Sequence, residues 1–145
     1  MIICPANKEA DHKRLCQIAR TNPYTKDFSN EMMFSGDDAY AKGWIRKLVG
    51  EDNTIVGFTC VRHKARSPET KLYFIVVDPD HHRRGHATRL MDDLHDSARL
   101  AGNTHVRLDV EKVNEEAIQL YMKYGYTSVH GDALKGKGWL MEKEV

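Results

Sequence analysis

Ile75-Val76-Val77-Asp78-Pro79-Asp80-His81-His82-Arg83-Arg84-Gly85-His86-Ala87-Thr88 decides how the chain folds. Its first three residues are β-branched, which suits a strand. Asp78-Pro79 ends that strand, because proline lacks a ladder donor and turns its predecessor away from helical backbone. A cationic turn with one glycine follows, and then an amphipathic segment begins. Strand, basic glycine turn and helix start leave unpaired amides pointing outward, where the macrodipole favours negative charge. Arg83 and Arg84 add charge-assisted donors suited to phosphate. The stretch predicts an anion cradle for a phosphorylated cofactor.

Downstream, Ala87, Leu90, Met91, Leu94, Ala98 and Ala101 fall on one helical stripe, and Gly102 is a natural residue to end it. Val106, Leu108 and Val110 alternate with Arg107, Asp109 and Glu111, a strand with two unlike faces. Asn114 caps a helix through Ala117, Ile118, Tyr121 and Tyr124 that stops at Gly125. Tyr126 to Val129 and Gly138 to Met141 read as closing strands around a Gly/Lys-rich loop.

Upstream, the apolar run from Leu72 within Lys71 to Val77 predicts a strand buried on both faces. Trp44 to Val49 and Thr54 to His63 form a hairpin about Gly50-Glu51-Asp52-Asn53. Ile2 to Cys4 is a short first strand, and Asn7 caps a helix with Leu15, Ile18 and Ala19 at helical spacing, stopped by Thr21-Asn22-Pro23. Ser29 or Asn30 caps a short turn through Met32, Met33 and Phe34, and Asp37-Asp38 opens another short helix to Gly43. Strands flanked by a few helices make the fold α+β or mixed α/β.

Residues 1–145 read as one domain, with 41% hydrophobic and 30% charged residues and a net charge of +1. That charge supplies no global field for nucleic acid or membrane. No apolar run reaches the roughly 18 residues of a spanning helix, and Met1-Ile2-Ile3-Cys4-Pro5 lacks a signal-peptide pattern. Cys4, Cys16 and Cys60 form no Cys-x-x-Cys pair, so the expectation is buried, reduced thiols in a cytoplasmic protein.

Val77-Asp78-Pro79 followed by His82-Arg83-Arg84-Gly85-His86-Ala87 resembles the acyl-CoA signature of the GNAT superfamily of N-acyltransferases, usually Gln/Arg-x-x-Gly-x-Gly/Ala. Asn114-Glu115-Glu116-Ala117-Ile118-Gln119-Leu120-Tyr121-Met122-Lys123-Tyr124-Gly125-Tyr126 is similar to its second block, Asn…Ala…Leu-Tyr-x-Lys-x-Gly-Phe/Tyr. The match is specific from Leu72 to about Val129 and loose from Trp44 to His63. His82 departs from the pattern, but the family's cradle works through backbone amides, which any residue except proline supplies.

The resemblance implies a mixed, mostly antiparallel sheet whose central parallel strands, Lys71–Val77 and Thr104–Glu111, splay at one end. Pantetheine would pair with backbone near Ile75 and Val77. The pyrophosphate would sit on the amides of Arg83, Arg84, Gly85, His86, Ala87 and Thr88, with His82 and Asn114 also touching the cofactor. The implied reaction is direct attack of an amine on acetyl-CoA in a ternary complex, with Tyr121 as general acid.

The base is not legible. Asp109, Glu111, Glu69 and His63 are candidates, as is a water chain to bulk. The acceptor would enter near residues 22–43 and 130–138, where Asp27, Glu31, Asp37 and Asp38 draw a cation between Tyr24, Phe34, Tyr40 and Trp44. A protein N-terminus or lysine, a polyamine, an aminoglycoside-like drug and an amine on a modified nucleic-acid base all fit.

The alternatives are a catalytically inactive CoA-binding or interaction module and, behind it, a nucleic-acid-binding protein using the basic turn. The latter lacks an aromatic stacking platform beside that turn. His82 and His86 are one helical turn apart but lack the Glu of a zinc motif, so no metal is expected. Gly131-x-x-x-x-Gly136-Lys137 lacks the Ser/Thr and the helix of a P-loop. Exposed sheet edges leave a homodimer open.

Overall fold

The computed structural model describes residues 1–26, 28, 37–64, 67–129 and 134–145. Its elements, in chain order, are β1 (Ile2–Pro5), α1 (Lys8–Ala19), α2 (Asp37–Ala41), β2 (Ile45–Val49), β3 (Ile55–His63), β4 (Glu69–Val77), α3 (His86–Leu100), β5 (His105–Glu111), α4 (Glu115–Lys123), β6 (Thr127–Ser128) and β7 (Gly138–Glu144). Single 3-10 turns cover Pro79–His81 and Leu134–Gly136. Hydrogen bonding orders the seven strands β1-β2-β3-β4-β5-β7-β6, with β4–β5 parallel. Every other pairing with a recorded register is antiparallel, so the fold is α+β with a mixed sheet. The parallel ladder runs from Glu69↔His105 to Leu72↔Leu108, and both strands continue beyond it, to Val77 and Glu111.

The chain divides into two compact units, residues 1–61 with 74–94, and residues 62–73 with 95–145. In the first, Asn7 caps α1 by accepting the Ala10 amide at 2.9 Å. The β2–β3 hairpin shifts register between Leu48 and Val49. β3 is the buried strand, since every residue from Ile55 to Val61 is buried. Gly57 lets it close on its neighbour: a Cβ there would sit 2.8 Å from the Val76 carbonyl oxygen. Phe28 fills the interior, its ring 5.0 Å from Phe58 and 5.7 Å from Phe74.

β4 corrects an expectation. Leu72 and Val76 are buried, but Tyr73, Phe74, Ile75 and Val77 are only half-buried. A β-branched run signals a strand without saying how much of it is covered.

In the second unit, β5 pairs along its whole length with β7, from His105↔Glu144 to Glu111↔Gly138. Val106, Leu108 and Val110 are buried, as their alternation predicts. Gly138 admits the close approach, because a Cβ there would lie 2.8 Å from the Val110 carbonyl oxygen. Asn114 caps α4, and Gly125, at φ +90°, ends it. The α3 stripe holds for Leu90, Met91, Leu94 and Ala98, but the helix ends at Leu100 and Ala101 is exposed.

Candidate functional site

The quoted stretch folds as expected and adds detail that no local pattern announces. Asp78 caps the 3-10 turn by accepting the Asp80 amide at 3.1 Å, while its own amide donates to Val56 at 2.8 Å. Arg14 of α1 donates to the Asp78 carboxylate at 2.5 Å and to the Ile55 carbonyl at 3.1 Å. Burial alone would push the Asp78 carboxyl up, but the Asp80 amide and Arg14 outweigh it and hold it below the ordinary carboxylate value. The turn is thereby tied to α1 and β3 before the glycine is reached.

Arg83 and Gly85 both adopt left-handed backbone, at φ +63° and +77°. Left-handed residues set among right-handed ones fan successive amides toward one point. Among the described residues, the amides of Arg83, Arg84, Gly85, His86 and Ala87 meet no backbone carbonyl, and a Cβ on Gly85 would meet nothing within 4 Å. Orphan donors, open space and the arginines fit a pyrophosphate. His86 and Ala87 open α3, whose positive end supports the same charge. Thr88 follows, exposed on the first helical turn.

His82 does more than supply backbone. Its Nε2–H donates to the Val77 carbonyl at 2.9 Å and ties the turn to the end of β4. Ile75 and Val77 pack against the core cluster of Leu48, Val56 and Leu90. Among the described residues, no group of three metal-ligating side chains forms.

In the second unit, Tyr121 is 6% exposed, its ring 5.7 Å from that of Tyr126. Its hydroxyl makes no hydrogen bond among the described residues, whereas the Tyr126 hydroxyl meets His95 Nε2 at 2.8 Å. Burial pushes the Tyr121 phenol well above its ordinary value, so it stays protonated near neutrality. A neutral phenol with an uncommitted O–H is chemically equipped as a general acid. Asn114 accepts the Ala117 amide at 3.3 Å, the plain capping role.

Three of the four candidate bases are engaged. Asp109 pairs with Lys71 at 3.3 Å, Glu69 with Lys64 at 3.4 Å, and His63 Nδ1 meets the Thr70 hydroxyl at 2.7 Å. Glu111, the last residue of β5, has no ion pair among the described residues.

On the acceptor side, Asp27, Glu31 and Phe34 lie outside the described residues, as do the Ser29–Asn30 cap, the turn through Met32 and Met33, and residues 130–133. Asp37 begins α2, and Asp38 pairs with Lys42 at 3.7 Å. Tyr40 is buried, its hydroxyl 2.6 Å from His12 Nδ1, while Tyr24 is exposed. Trp44 lies under the Lys42 ammonium, 4.9 Å from its ring centre.

A family model described as the acetyltransferase (GNAT) family matches residues 12–126, most of the chain. The chain belongs to the GNAT family. It is 40% identical over 144 residues, 99% of both chains, to the 5-NmdU N-acetyltransferase of Pseudomonas phage PaMx11. It is 31% identical over 109 residues to the streptothricin acetyltransferase of Streptomyces lavendulae, covering 75% of this chain and 57% of that one. Among solved GNAT structures, the PaiA N-acetyltransferase of Thermoplasma acidophilum in complex with coenzyme A shares the fold at a TM-score of 0.81, with 17% identity over 99% and 98% of the two chains. This GNAT protein is accordingly an N-acetyltransferase that uses acetyl-CoA and an amine-bearing substrate. No helix among its described residues is long and apolar enough to cross a membrane.

Proposed function

We propose that this chain transfers the acetyl group of acetyl-CoA to the amine of a 5-substituted deoxyuridine of the 5-NmdU kind. The observation that carries this reading is the 40% identity, over 99% of both chains, with a 5-NmdU N-acetyltransferase. A streptothricin-like amine is the second reading, favoured by the 31% match.

The cofactor's pyrophosphate is held by the amides from Arg83 to Thr88, with Arg83 and Arg84 supplying counter-charge, and pantetheine follows β4 at Ile75 and Val77, where His82 closes the turn. Asn114 adds a contact at the start of α4. The amine nitrogen attacks the thioester carbonyl, and the carbon–sulfur bond breaks. Tyr121 gives its hydroxyl proton to the departing thiolate, and the amine's surplus proton passes to a base. Glu111 is the first candidate for that base because its carboxylate has no ion pair among the described residues.

Residues 1–145 act as one cytoplasmic domain in this reading, in keeping with free Cys4, Cys16 and Cys60 and with a relative matched end to end. β1 and β6 end the strand order, and either edge allows a second copy to pair. Sedimentation at micromolar concentration reads that state directly: a single monomeric species would remove the dimer.

The test of the reaction is incubation with acetyl-CoA and either 5-NmdU or streptothricin, with products read by mass spectrometry. Gain of one acetyl group on 5-NmdU, with the higher kcat/KM, supports the proposal. Transfer to streptothricin alone overturns the acceptor.

A further inference from the structure

We infer that His86 takes up a proton when the cofactor's pyrophosphate docks on the turn, so that cofactor affinity is coupled to pH. The inference rests on the cradle reading above.

His86 is 4% exposed, and neither of its ring nitrogens has a hydrogen-bond partner among the described residues. Nδ1 of His81 is orphaned in the same way, and the two rings lie 6.5 Å apart. Buried polar atoms are normally satisfied, and leaving them bare is costly. Other histidines of this chain follow that rule: His95 meets Tyr126 at 2.8 Å and His12 meets Tyr40 at 2.6 Å. An aliphatic side chain would serve packing at position 86 better. The helix N-terminus also disfavours a cation there unless an anion accompanies it.

The groups around the pair decide the direction. Arg89 on α3 and Arg84 on the turn raise the positive potential at His86, as does His81 on the 3-10 turn when it carries a proton. Opposing them, the Asp78 carboxylate lies 3.8 Å from His81 Nδ1, but Arg14 of α1 already claims it at 2.5 Å. Asp52 of the β2–β3 turn also interacts with His81. The residue following in the core, Leu90, is apolar and buried. Burial first, and these cations second, hold the His86 ring below the ordinary imidazole value, so it is neutral in the free protein near neutrality.

A doubly charged anion on the turn amides cancels the arginines' field at the ring. Its proton affinity then rises, and one proton moves from solvent to the imidazole, with no bond made or broken elsewhere. By linkage, affinity falls as pH rises between the free and bound values, by at most about tenfold per pH unit for one proton.

Dephospho-CoA is the probe, because its pyrophosphate carries no group that titrates near neutrality. Calorimetry at pH 6.5, in buffers of different ionisation enthalpy, counts the protons exchanged on binding. The wild type is expected to take up more than about half a proton per dephospho-CoA. The saturated His86→Leu complex is expected to take up close to none. In parallel, the His86 C2–H resonance of the wild type should titrate at higher pH in the complex than in the free protein. No uptake by the wild type, equal uptake by His86→Leu, or an unmoved resonance would each overturn the inference. The resonance decides alone should the variant not fold. Absence of dephospho-CoA binding to the wild type would instead bring down the cradle reading itself.

Discussion

Replacing Asp78 with asparagine tests whether the cradle is braced from outside its own stretch. The carboxylate is 11% exposed and accepts from Arg14 at 2.5 Å and from the Asp80 amide at 3.1 Å. Asparagine keeps an oxygen for the amide and loses the charge that Arg14 meets. A hydrogen bond to a charged group contributes about 1.5–3 kcal/mol. Arg14 stays about one-third exposed and keeps the Ile55 carbonyl, so the lower part of that range applies, about 2 kcal/mol.

At about 2.1 cal/mol/K per residue, a 145-residue chain has an unfolding entropy of roughly 0.3 kcal/mol/K, so Tm falls by about 7 °C. The pH dependence has a fixed sign. Asp78 titrates below its unfolded value of about 3.9, so its contribution is complete above that value and is lost as pH falls through the folded one. Urea unfolding from pH 7 down to pH 3 should show the gap between wild type and Asp78→Asn closing at the acid end. A variant that melts within about 1 °C of wild type at pH 7, or a gap that persists undiminished in acid, would refute the brace.

Gly57→Ala should cost about 1–3 kcal/mol, because its Cβ would press to 2.8 Å on the Val76 carbonyl oxygen and 3.3 Å on the Val77 Cα. Calorimetry should also show weaker acetyl-CoA binding, since the end of β4 must shift; an unchanged Tm would place the strain elsewhere. Tyr121→Phe should lower kcat about a hundredfold while leaving the acetyl-CoA Kd within about twofold. Equal turnover would remove Tyr121 from the mechanism. Glu111→Gln should lower kcat most at low pH, where the remaining acceptors of a proton are protonated; a pH–rate profile parallel to wild type would dismiss it as the base.

Much of this fold is legible because its signals are local. Asn7, Asn114 and Gly125 mark helix ends by their own hydrogen bonds or backbone angle. The β5 alternation and the α3 stripe each reflect one buried face. What sequence reasoning missed depends on distant partners or on cover. Arg14 and Asp78 are 64 residues apart, and no spacing joins them. β3 is buried at Gly57, Thr59 and Cys60 as well as at its apolar positions, so its burial follows from its neighbours rather than from its composition. The left-handed backbone of Arg83 has no local signal, since arginine rarely adopts it. The isolation of His86 shows only once its surroundings are in place. Tyr121 is a candidate through the family resemblance alone; that its hydroxyl makes no hydrogen bond among the described residues shows only in the fold.

The cradle is the centre of the account, and one titration tests it. Acetyl-CoA is titrated by calorimetry into the wild type and into Gly85→Glu, which puts a charged side chain where a Cβ now meets open space at φ +77°. Saturable binding by the wild type and none by a folded variant is the predicted result. Undiminished binding by Gly85→Glu would contradict it.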